Sequence, residues 1–288
     1  MWPSRIKPGI DVATTGTHAN ITTGHDEAKF GISEADLPDA LAALAHHPSL
    51  ALVGITVHTG SQVTRVDPYL ASADVAFDVV HHLPPAHRAT VRYVDTGGGF
   101  GIDYGEGCPV GPADFVRAVR KLKRERGLSE LELRVEPGRS LVAAYGTLVA
   151  RVIQTKRSVD PDAPSGARRW LMIDAGMNDL MRPALYQARH RVVPVAFAPC
   201  TTPMRVVGPV CESSDDFGEH VLPAEPSGLV ALLDAGAYGY SMASRYNGRE
   251  LPAEVFVRDG AIVAVAAPEP EDTWARSRLA IGAPTRGT

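Results

Sequence analysis

Cysteines, lysines and long hydrophobic runs are all scarce in this sequence of 288 residues. The three cysteines, Cys108, Cys200 and Cys211, are an odd number at wide spacing, which fits neither a zinc-ligand pattern nor a disulfide framework. No segment approaches the roughly 18 consecutive apolar residues of a membrane-spanning helix. The first residues, Met1–Arg5, lack the apolar stretch of a signal peptide. We therefore expect a cytosolic protein.

A strong charge of either sign is also missing. The formal net charge is −4 and the isoelectric point is about 6.2. This balance gives no support for binding to nucleic acids or to membrane surfaces. Hydrophobic residues make up 44% of the chain, and its length is sufficient for one large or two medium domains with apolar cores.

The first half of the chain alternates between segments typical of strands and of helices. Short apolar runs and apolar alternation predict strands at Ile6–Val12, Leu52–His58, Val91–Val94 and Leu131–Glu136. Apolar residues at helical spacing predict helices from Ser33 to Pro48, from Asp67 to about Leu83 and from Pro112 to Gly127. Strands that alternate with helices in this way are typical of a parallel α/β arrangement.

Beyond Ser140 the helix signals give way to short strand candidates separated by Pro, Gly and Asp. These candidates are Tyr145–Lys156, Trp170–Ile173, Arg191–Phe197, Met204–Val207, Leu229–Leu233, Ala253–Val257 and Ile262–Ala266. We predict a short helix near Asn178–Ala184 and a loose tail from Pro268 onward. The sequence thus predicts two domains, an α/β domain over residues 1–140 and an all-β domain over residues 141–288.

Residues with useful chemistry follow the predicted strands of the first half. His58 ends a buried strand, where a histidine is more often a satisfied core residue but could instead stack on an aromatic ring. The glycine-rich turn Thr96–Gly101 could bring backbone amides to a phosphate, although it lacks the dinucleotide spacing G-x-G-x-x-G. Glu136 and Arg139 flank a Pro-Gly break at the carboxyl end of a strand, where catalytic side chains of α/β proteins often lie. The alternative for this pair is a surface turn with an ion pair.

The second half contains three further candidate segments. Arg182 and Tyr186 are four residues apart and would project together on a helical turn. Cys211 and Glu212 set a thiol beside a carboxylate, although a lone cysteine is usually inert packing. Tyr238 is a phenol among small residues.

Together these segments resemble the fold-type III pyridoxal-phosphate decarboxylases that act on ornithine, arginine and diaminopimelate, and most of all the diaminopimelate group. The matching stretches are collinear and cover nearly the whole chain. They are His18–Gly24 with Lys29–Gly31, His58–Gln62, Asp95–Phe100, Glu136–Arg139, Arg182–Tyr186, Gly208–Ser213 and Gly236–Tyr238.

The resemblance implies a pyridoxal 5'-phosphate cofactor and a (β/α)8 barrel followed by a β-sandwich or barrel-like domain. His58 would stack on the cofactor ring, Glu136 would pair with its pyridine nitrogen, and Ser61 and the amides around Gly98 and Gly99 would hold its phosphate. The residues implied at the cofactor are His58, Ser61, Gly98, Gly99, Glu136, Gly138, Arg139 and Tyr238.

The resemblance also implies roles toward the substrate. Arg139 and Arg182 would bind a carboxylate through bidentate guanidinium contacts, with a hydrogen bond added by Tyr186. Glu212 would bind the far ammonium group, and Cys211 would reprotonate the α-carbon after carbon dioxide leaves. Tyr238 would contact both substrate and cofactor, and the catalytic residues would be His58 and Cys211.

The implied reaction is decarboxylation of meso-diaminopimelate to L-lysine, in a homodimer whose sites are completed by the partner's Cys-Glu stretch. One alternative is a decarboxylase of ornithine or arginine, although an arginine at position 182 would repel a purely cationic side chain. Another is a non-catalytic subunit that completes the site of a homologue.

The sequence departs from the family at its Schiff-base lysine, which lies early in the barrel in the pattern Ala-x-Lys-Ala-Asn. The five lysines of this sequence do not have that setting; they are Lys7, Lys29, Lys121, Lys123 and Lys156. A whole barrel needs about 250 residues, so we expect only its C-terminal half here, as in a truncated gene product. We expect the chain alone to decarboxylate poorly and the strand near Ile6–Val12 to expose an edge that favours association.

Overall fold

A four-stranded parallel sheet forms from the short apolar segments of the first half. The computed structural model describes residues 2–6, 29–108, 110–162, 166–268 and 270–279, and divides into two compact units, Met1–Ala144 (unit 1) and Tyr145–Thr288 (unit 2). The sheet of unit 1 has its strands in chain order. They are β1 (Trp2–Arg5), β2 (Leu52–Thr56), β3 (Tyr93–Gly98) and β4 (Glu132–Glu136).

Helices connect these strands and cover the sheet with apolar side chains. They are α1 (Leu37–Ala45), α2 (Val66–His82), α3 (Pro85–Arg88), α4 (Pro112–Glu125) and α5 (Gly138–Val142). The rings of Tyr69 on α2 and Phe115 on α4 pack edge to face at a centroid distance of 5.3 Å, and Phe100 contacts both. These buried rings join α2 and α4 to the segment that follows β3.

The strands and helices predicted for unit 1 are present where the structure describes them, with two differences. Of the predicted strand Ile6–Val12, only Ile6 is described, and β1 precedes it. Ser33 hydrogen-bonds Asp36 in a turn, and α1 begins after this turn, at Leu37, and not at Ser33. The matching stretch His18–Gly24 lies outside the described residues.

Unit 2 is mainly β-structure. Its strands are β5 (Leu148–Val159), β6 (Ala167–Ile173), β7 (Val192–Pro194), β8 (Thr202–Val207), β9 (Asp216–Leu222), β10 (Leu229–Leu232), β11 (Glu254–Arg258) and β12 (Ala261–Ala266). A mixed six-stranded sheet has the order β7-β10-β5-β6-β8-β9, and a separate hairpin pairs β11 with β12. Two helices accompany them, α6 (Arg182–Tyr186) and α7 (Glu271–Leu279).

Two elements of unit 2 were not predicted from the sequence. Strand β9 escapes the strand pattern because Gly218, with a φ of +89°, interrupts a polar alternation. Helix α7 occupies part of the tail that was expected to be loose from Pro268 onward, and residues 280–288 of that tail lie outside the described residues. The guanidinium groups of Arg245 and Arg278 both lie near the ring of its Trp274, which gives the helix contacts that its sequence pattern does not reveal.

The described residues contain no helix that is both long and apolar enough to cross a membrane. In the same residues, histidine, cysteine, aspartate and glutamate side chains do not gather in a group of three suited to a metal ion.

Candidate active site

The carboxyl ends of β2, β3 and β4 bring the predicted cofactor residues of unit 1 together. Parallel neighbouring strands end at the same edge of a sheet, so residues that follow different strands meet there. His58 follows β2, the glycines Gly97–Gly99 end β3, and Glu136 ends β4. The imidazole Nδ1 of His58 lies 3.7 Å from Glu136 Oε2. The His58 side chain is 20% exposed and that of Glu136 is 53% exposed, so both can contact a bound molecule.

The turn at Gly97–Gly99 needs glycine because the backbone of neighbouring segments lies very close to it. Gly97 and Gly99 have φ values of +72° and +79°, a region that favours glycine. A Cβ atom at Gly98 would lie 1.7 Å from the backbone oxygen of Glu136, and one at Gly99 would lie 1.8 Å from that of Gly60. The three strand ends can therefore approach each other only because these positions lack side chains.

Asp95 supports this turn. Its Oδ1 accepts the Gly97 N–H at 2.9 Å. Burial raises the pKa of Asp95, the hydrogen bond from Gly97 lowers it, and the nearby Glu136 carboxylate raises it further. Asp95 thus stabilises the turn, although burial disfavours its charged form.

Arg139 connects the end of β4 to the segment after β2. The Pro137–Gly138 break ends β4 and starts α5, which carries Arg139 into a buried position. Its Nη2 donates to Ser61 Oγ at 2.6 Å, and its Nη1 donates to Tyr104 Oη at 2.8 Å. The contact with Ser61 favours the role at the cofactor over the role at a substrate carboxylate. Gly138 lies beside Arg139, and a Cβ there would meet no atom within 4 Å.

We call His58, Ser61, Gly97–Gly99, Glu136 and Arg139 the sheet-edge cluster. The lysines that the structure describes in unit 1 are held by other groups. Lys123 Nζ donates to the backbone oxygen of Leu131, at the opposite end of β4. Lys121 lies 3.7 Å from Glu125 on the same helix, and Lys29 lies over an aromatic ring.

In unit 2, α6 carries Arg182 and Tyr186, two of the three residues predicted at the substrate carboxylate. Arg182 begins this helix and is 3% exposed, and Tyr186 ends it in a half-buried position. The Nη1 atom of Arg182 lies 2.7 Å from Nε2 of the buried His190. The His190 imidazole therefore holds the Arg182 guanidinium in a position that is almost completely shielded from solvent.

A buried carboxylate fixes the loop that carries Cys211 and Glu212. The two oxygens of Asp215 accept the backbone N–H groups of Met177 and Val210, each at 2.6 Å. Burial raises the pKa of Asp215, and these two hydrogen bonds lower it. Asp215 thereby ties the loop after β8 to the loop that precedes α6.

Cys211 and Glu212 are both exposed, so inert packing of Cys211 is the wrong interpretation. The hydroxyl of Tyr246 donates to Glu212 Oε1 at 2.5 Å, and this hydrogen bond raises the pKa of Tyr246. Tyr246 orients the carboxylate from a segment about 30 residues further along the chain.

Tyr238 lies in a turn with unusual backbone angles. Its φ is +60°, and that of Asp234 is +59°, a region that residues other than glycine rarely adopt. The turn is held by an ion pair between Asp234 Oδ2 and Arg191 at 2.7 Å. Such strain at an exposed tyrosine is a frequent feature of functional sites.

Five residues of these sites have no role predicted from the sequence. They are Asp95, Tyr104, His190, Asp215 and Tyr246. Asp95 lies within a matching stretch, and its place before the glycines is a signal for turn support. Tyr104 and Tyr246 contact residues that are 35 and 34 positions away in the sequence. His190 and Asp215 have partners only 8 and 5 positions away, but irregular segments bring these pairs together, so no periodicity reveals them.

Comparison with known proteins identifies the family. Residues 4–143 match the family model described as pyridoxal-dependent decarboxylase, pyridoxal binding domain. A crystal structure of diaminopimelate decarboxylase from Helicobacter pylori, complexed with L-lysine, superposes with a TM-score of 0.83 at 32% identity, covering 96% of this chain and 67% of the other. The chain belongs to the fold-type III pyridoxal-phosphate-dependent decarboxylases.

Other decarboxylases of this family give the same result. The diaminopimelate decarboxylase of Zymomonas mobilis is 40% identical over 256 residues, which are 88% of this chain and 58% of that protein. A crystal structure of diaminopimelate decarboxylase from m. jannaschii, in complex with L-lysine, has a TM-score of 0.78 at 32% identity and covers 93% of this chain and 61% of the other. The chain thus spans somewhat more than half the length of the curated relatives it matches.

Pyridoxal phosphate is the cofactor of this decarboxylase family, and the sheet-edge cluster fits it. The glycine turn offers bare backbone, because a Cβ atom there would collide with neighbouring strand ends. The Ser61 hydroxyl and the buried Arg139 guanidinium are groups that bind phosphate well. His58 and Glu136 add an aromatic ring and a carboxylate, as a protonated pyridine ring requires.

Proposed function

We propose that this chain carries the cofactor and substrate residues of a diaminopimelate decarboxylase. The reaction would remove one carboxylate of meso-diaminopimelate as carbon dioxide and leave L-lysine. The observation that supports this proposal best is the convergence of the sheet-edge cluster, in which His58, Glu136 and Arg139 surround a turn of bare backbone. The relatives named above act on the same substrate class, which supports the choice.

Pyridoxal phosphate, when bound, supplies an electron-poor ring that accepts the electron pair left when the carbon–carbon bond breaks. Glu136 would keep the pyridine nitrogen protonated, and His58 would cover one face of the ring. Ser61, Arg139 and the amides of Gly98 and Gly99 would hold the phosphate. Gly138 would lie beside these phosphate-binding residues, and Tyr238 would contact the cofactor as the family resemblance implies.

The unit 2 residues would hold the amino acid and return a proton to it. Arg182, with Tyr186, would bind the carboxylate that is retained, because a buried guanidinium is a strong partner for an anion. Glu212 would bind the distant ammonium group. Cys211 would donate its thiol proton to the α-carbon that has lost carbon dioxide, and the thiolate would then regain a proton from solvent.

A cofactor titration tests the proposal. The absorbance of pyridoxal phosphate is followed while the chain is added, for the wild type and for His58→Ala and Glu136→Gln. We expect both variants to weaken binding at least about tenfold, because each loses one group that contacts the ring. Glu132→Gln, a change of an exposed carboxylate on the same strand, is the matched control. Equal affinity of all four proteins would refute the cofactor site.

A decarboxylase of ornithine or arginine is the second candidate. The buried Arg182 argues against it, because a guanidinium there favours a substrate with a second carboxylate and repels a cationic side chain. Displacement experiments compare the two classes. In the presence of pyridoxal phosphate, meso-diaminopimelate should bind more tightly than ornithine, and Arg182→Gln should reduce this preference.

We also propose that the chain acts in a homodimer, in which Cys211 and Glu212 of one subunit serve the site of the other. The exposure of both side chains supports this proposal, because groups that act on a partner's site must be accessible. The same exposure also agrees with the alternative hypothesis, in which the chain is a non-catalytic subunit that completes the site of a homologue.

A further inference from the structure

The buried His190, which has no role in the proposed chemistry, contacts the buried Arg182. Arg182 is 3% exposed and His190 is 1% exposed. The Nη1 atom of Arg182 lies 2.7 Å from His190 Nε2, and His190 Nδ1 lies 2.9 Å from the backbone oxygen of Leu233. Each imidazole nitrogen therefore faces a group that can act only as a hydrogen-bond donor or only as an acceptor.

These two contacts determine the tautomer of His190. A carbonyl oxygen only accepts, so Nδ1 must carry the hydrogen that it donates to Leu233. A guanidinium only donates, so Nε2 must be the bare nitrogen that accepts from Arg182. The imidazole is neutral in this arrangement, since a second hydrogen on Nε2 would face the Arg182 N–H.

His190 is itself anchored to the segment that follows β10. Leu233 donates its N–H to the backbone oxygen of Arg191 at 2.9 Å, and the Arg191 guanidinium pairs with Asp234 at 2.7 Å. The segment at 190–191 is thus attached to the segment at 233–234 by three separate contacts. A side chain anchored in this way can define the position of its neighbour.

We propose that His190 is the positioning residue of Arg182. As the neutral Nδ1–H tautomer, it fixes the direction of the Arg182 guanidinium through Nε2. This contact orients the guanidinium through a neutral acceptor, which adds no negative charge that would compete with a ligand carboxylate. A carboxylate at position 190 would orient Arg182 equally well but would compete with that ligand. The inference rests on the proposed role of Arg182 as the carboxylate-binding residue.

Two substitutions separate the two hydrogen bonds of His190. Gln at this position places an amide oxygen near the site of Nε2 and keeps an acceptor for Arg182. Asn places an amide nitrogen near the site of Nδ1, which keeps the bond to Leu233 but leaves Arg182 without this acceptor. We therefore expect His190→Gln to retain the position of Arg182 and His190→Asn to lose it.

Nitrogen NMR of the full chain tests the arrangement without any ligand. At pH 7.5 the wild-type ¹⁵N shifts should identify His190 as the Nδ1–H tautomer. The slowly exchanging Nη signals of Arg182 should persist in His190→Gln and broaden in His190→Asn. A wild-type His190 that is protonated on Nε2 would overturn the inference, as would equal Arg182 signals in the two variants. The tautomer is read on the wild type, so the test does not depend on how either variant folds.

Binding of L-lysine in the presence of pyridoxal phosphate tests the consequence. A buried hydrogen bond to a charged group contributes about 1.5–3 kcal/mol, so His190→Asn should weaken lysine binding by roughly 10- to 100-fold. His190→Gln should recover most of this loss. If Arg182→Gln weakens binding but His190→Asn does not, the inference is wrong while the proposed function stands. If Arg182→Gln has no effect, the proposed role of Arg182 is wrong, and the NMR result still decides whether His190 positions it.

Discussion

Single carboxylates support the candidate sites of this protein, and Asp95 is the first example. It accepts the Gly97 N–H, and burial raises its pKa. A carboxyl group whose folded pKa is raised binds its proton more tightly in the folded state. The folded protein therefore loses stability as the pH rises from the ordinary aspartate pKa, about 3.9, through the raised value.

The variant Asp95→Asn tests this loss of folding stability with rising pH. Asparagine keeps an oxygen for the Gly97 N–H but has no charge to bury. The stability of the variant relative to that of the wild type should therefore increase from pH 4 to pH 8. Urea unfolding at both pH values measures the difference. Asp95→Ala should instead lose about 1 kcal/mol at either pH, because it has no acceptor. A stability difference between Asp95→Asn and wild type that is the same at both pH values contradicts the prediction.

Asp215 should behave differently, although burial raises its pKa as well. Both of its oxygens accept backbone N–H groups, from Met177 and Val210. In Asp215→Asn one oxygen becomes an NH2 group that faces another donor, so we expect a loss of about 1–3 kcal/mol. Urea unfolding at pH 7 checks this, with the exposed Glu219→Gln as control. An Asp215→Asn protein as stable as the control would show that the loop does not depend on this carboxylate.

At the scale of elements, the end of β3 depends on glycine for steric reasons. The variant Gly98→Ala would place Cβ 1.7 Å from the Glu136 backbone oxygen, so the strand ends must separate, at a cost of about 3 kcal/mol or more. The matched control is Gly138→Ala, where Cβ meets nothing within 4 Å and alanine favours the helix. Thermal unfolding should show a large loss only for Gly98→Ala. Similar melting temperatures for the two variants would contradict the steric argument.

The elements also show which parts of the secondary structure can be predicted from the sequence pattern. Strand β2 and helix α4 follow from apolar periodicity, because buried faces of regular elements repeat with a fixed period. Strand β9 and helix α7 do not follow, because each is stabilised by neighbours from elsewhere in the chain. Leu222 of β9 pairs with Thr202 of β8, and Trp274 of α7 contacts Arg245.

At the scale of the whole molecule, the chain contains site residues in both units but no lysine in the setting that the family resemblance leads us to expect. We therefore predict that the purified chain releases carbon dioxide from meso-diaminopimelate slowly or not at all. Mixing it with a homologue that has this lysine but carries a Cys211-equivalent Ala substitution should produce more carbon dioxide than the sum of the two proteins alone. Gas release in the separate and mixed samples measures this.

Two results would contradict this prediction. Robust turnover by the chain alone would show that it needs no lysine from another protein. A mixture that is no more active than its parts would remove the support for shared sites. The variant Cys211→Ala of this chain is the control, since it removes the thiol that we propose to act on the partner's substrate.

The sequence by itself determined the alternation of strands and helices in the first half, the change to β-structure in the second and the family motifs. Each of these is encoded locally, in a periodicity or in a short run such as Glu136–Arg139. Only the tertiary structure decided which side chains support the motif residues. Tyr246 reaches Glu212 across 34 residues, and Asp215 reaches Met177 across 38. His190 and Arg182 are only 8 residues apart. The sequence reveals none of these contacts, because loops without a regular period bring the side chains together and only the folded backbone determines which of them meet.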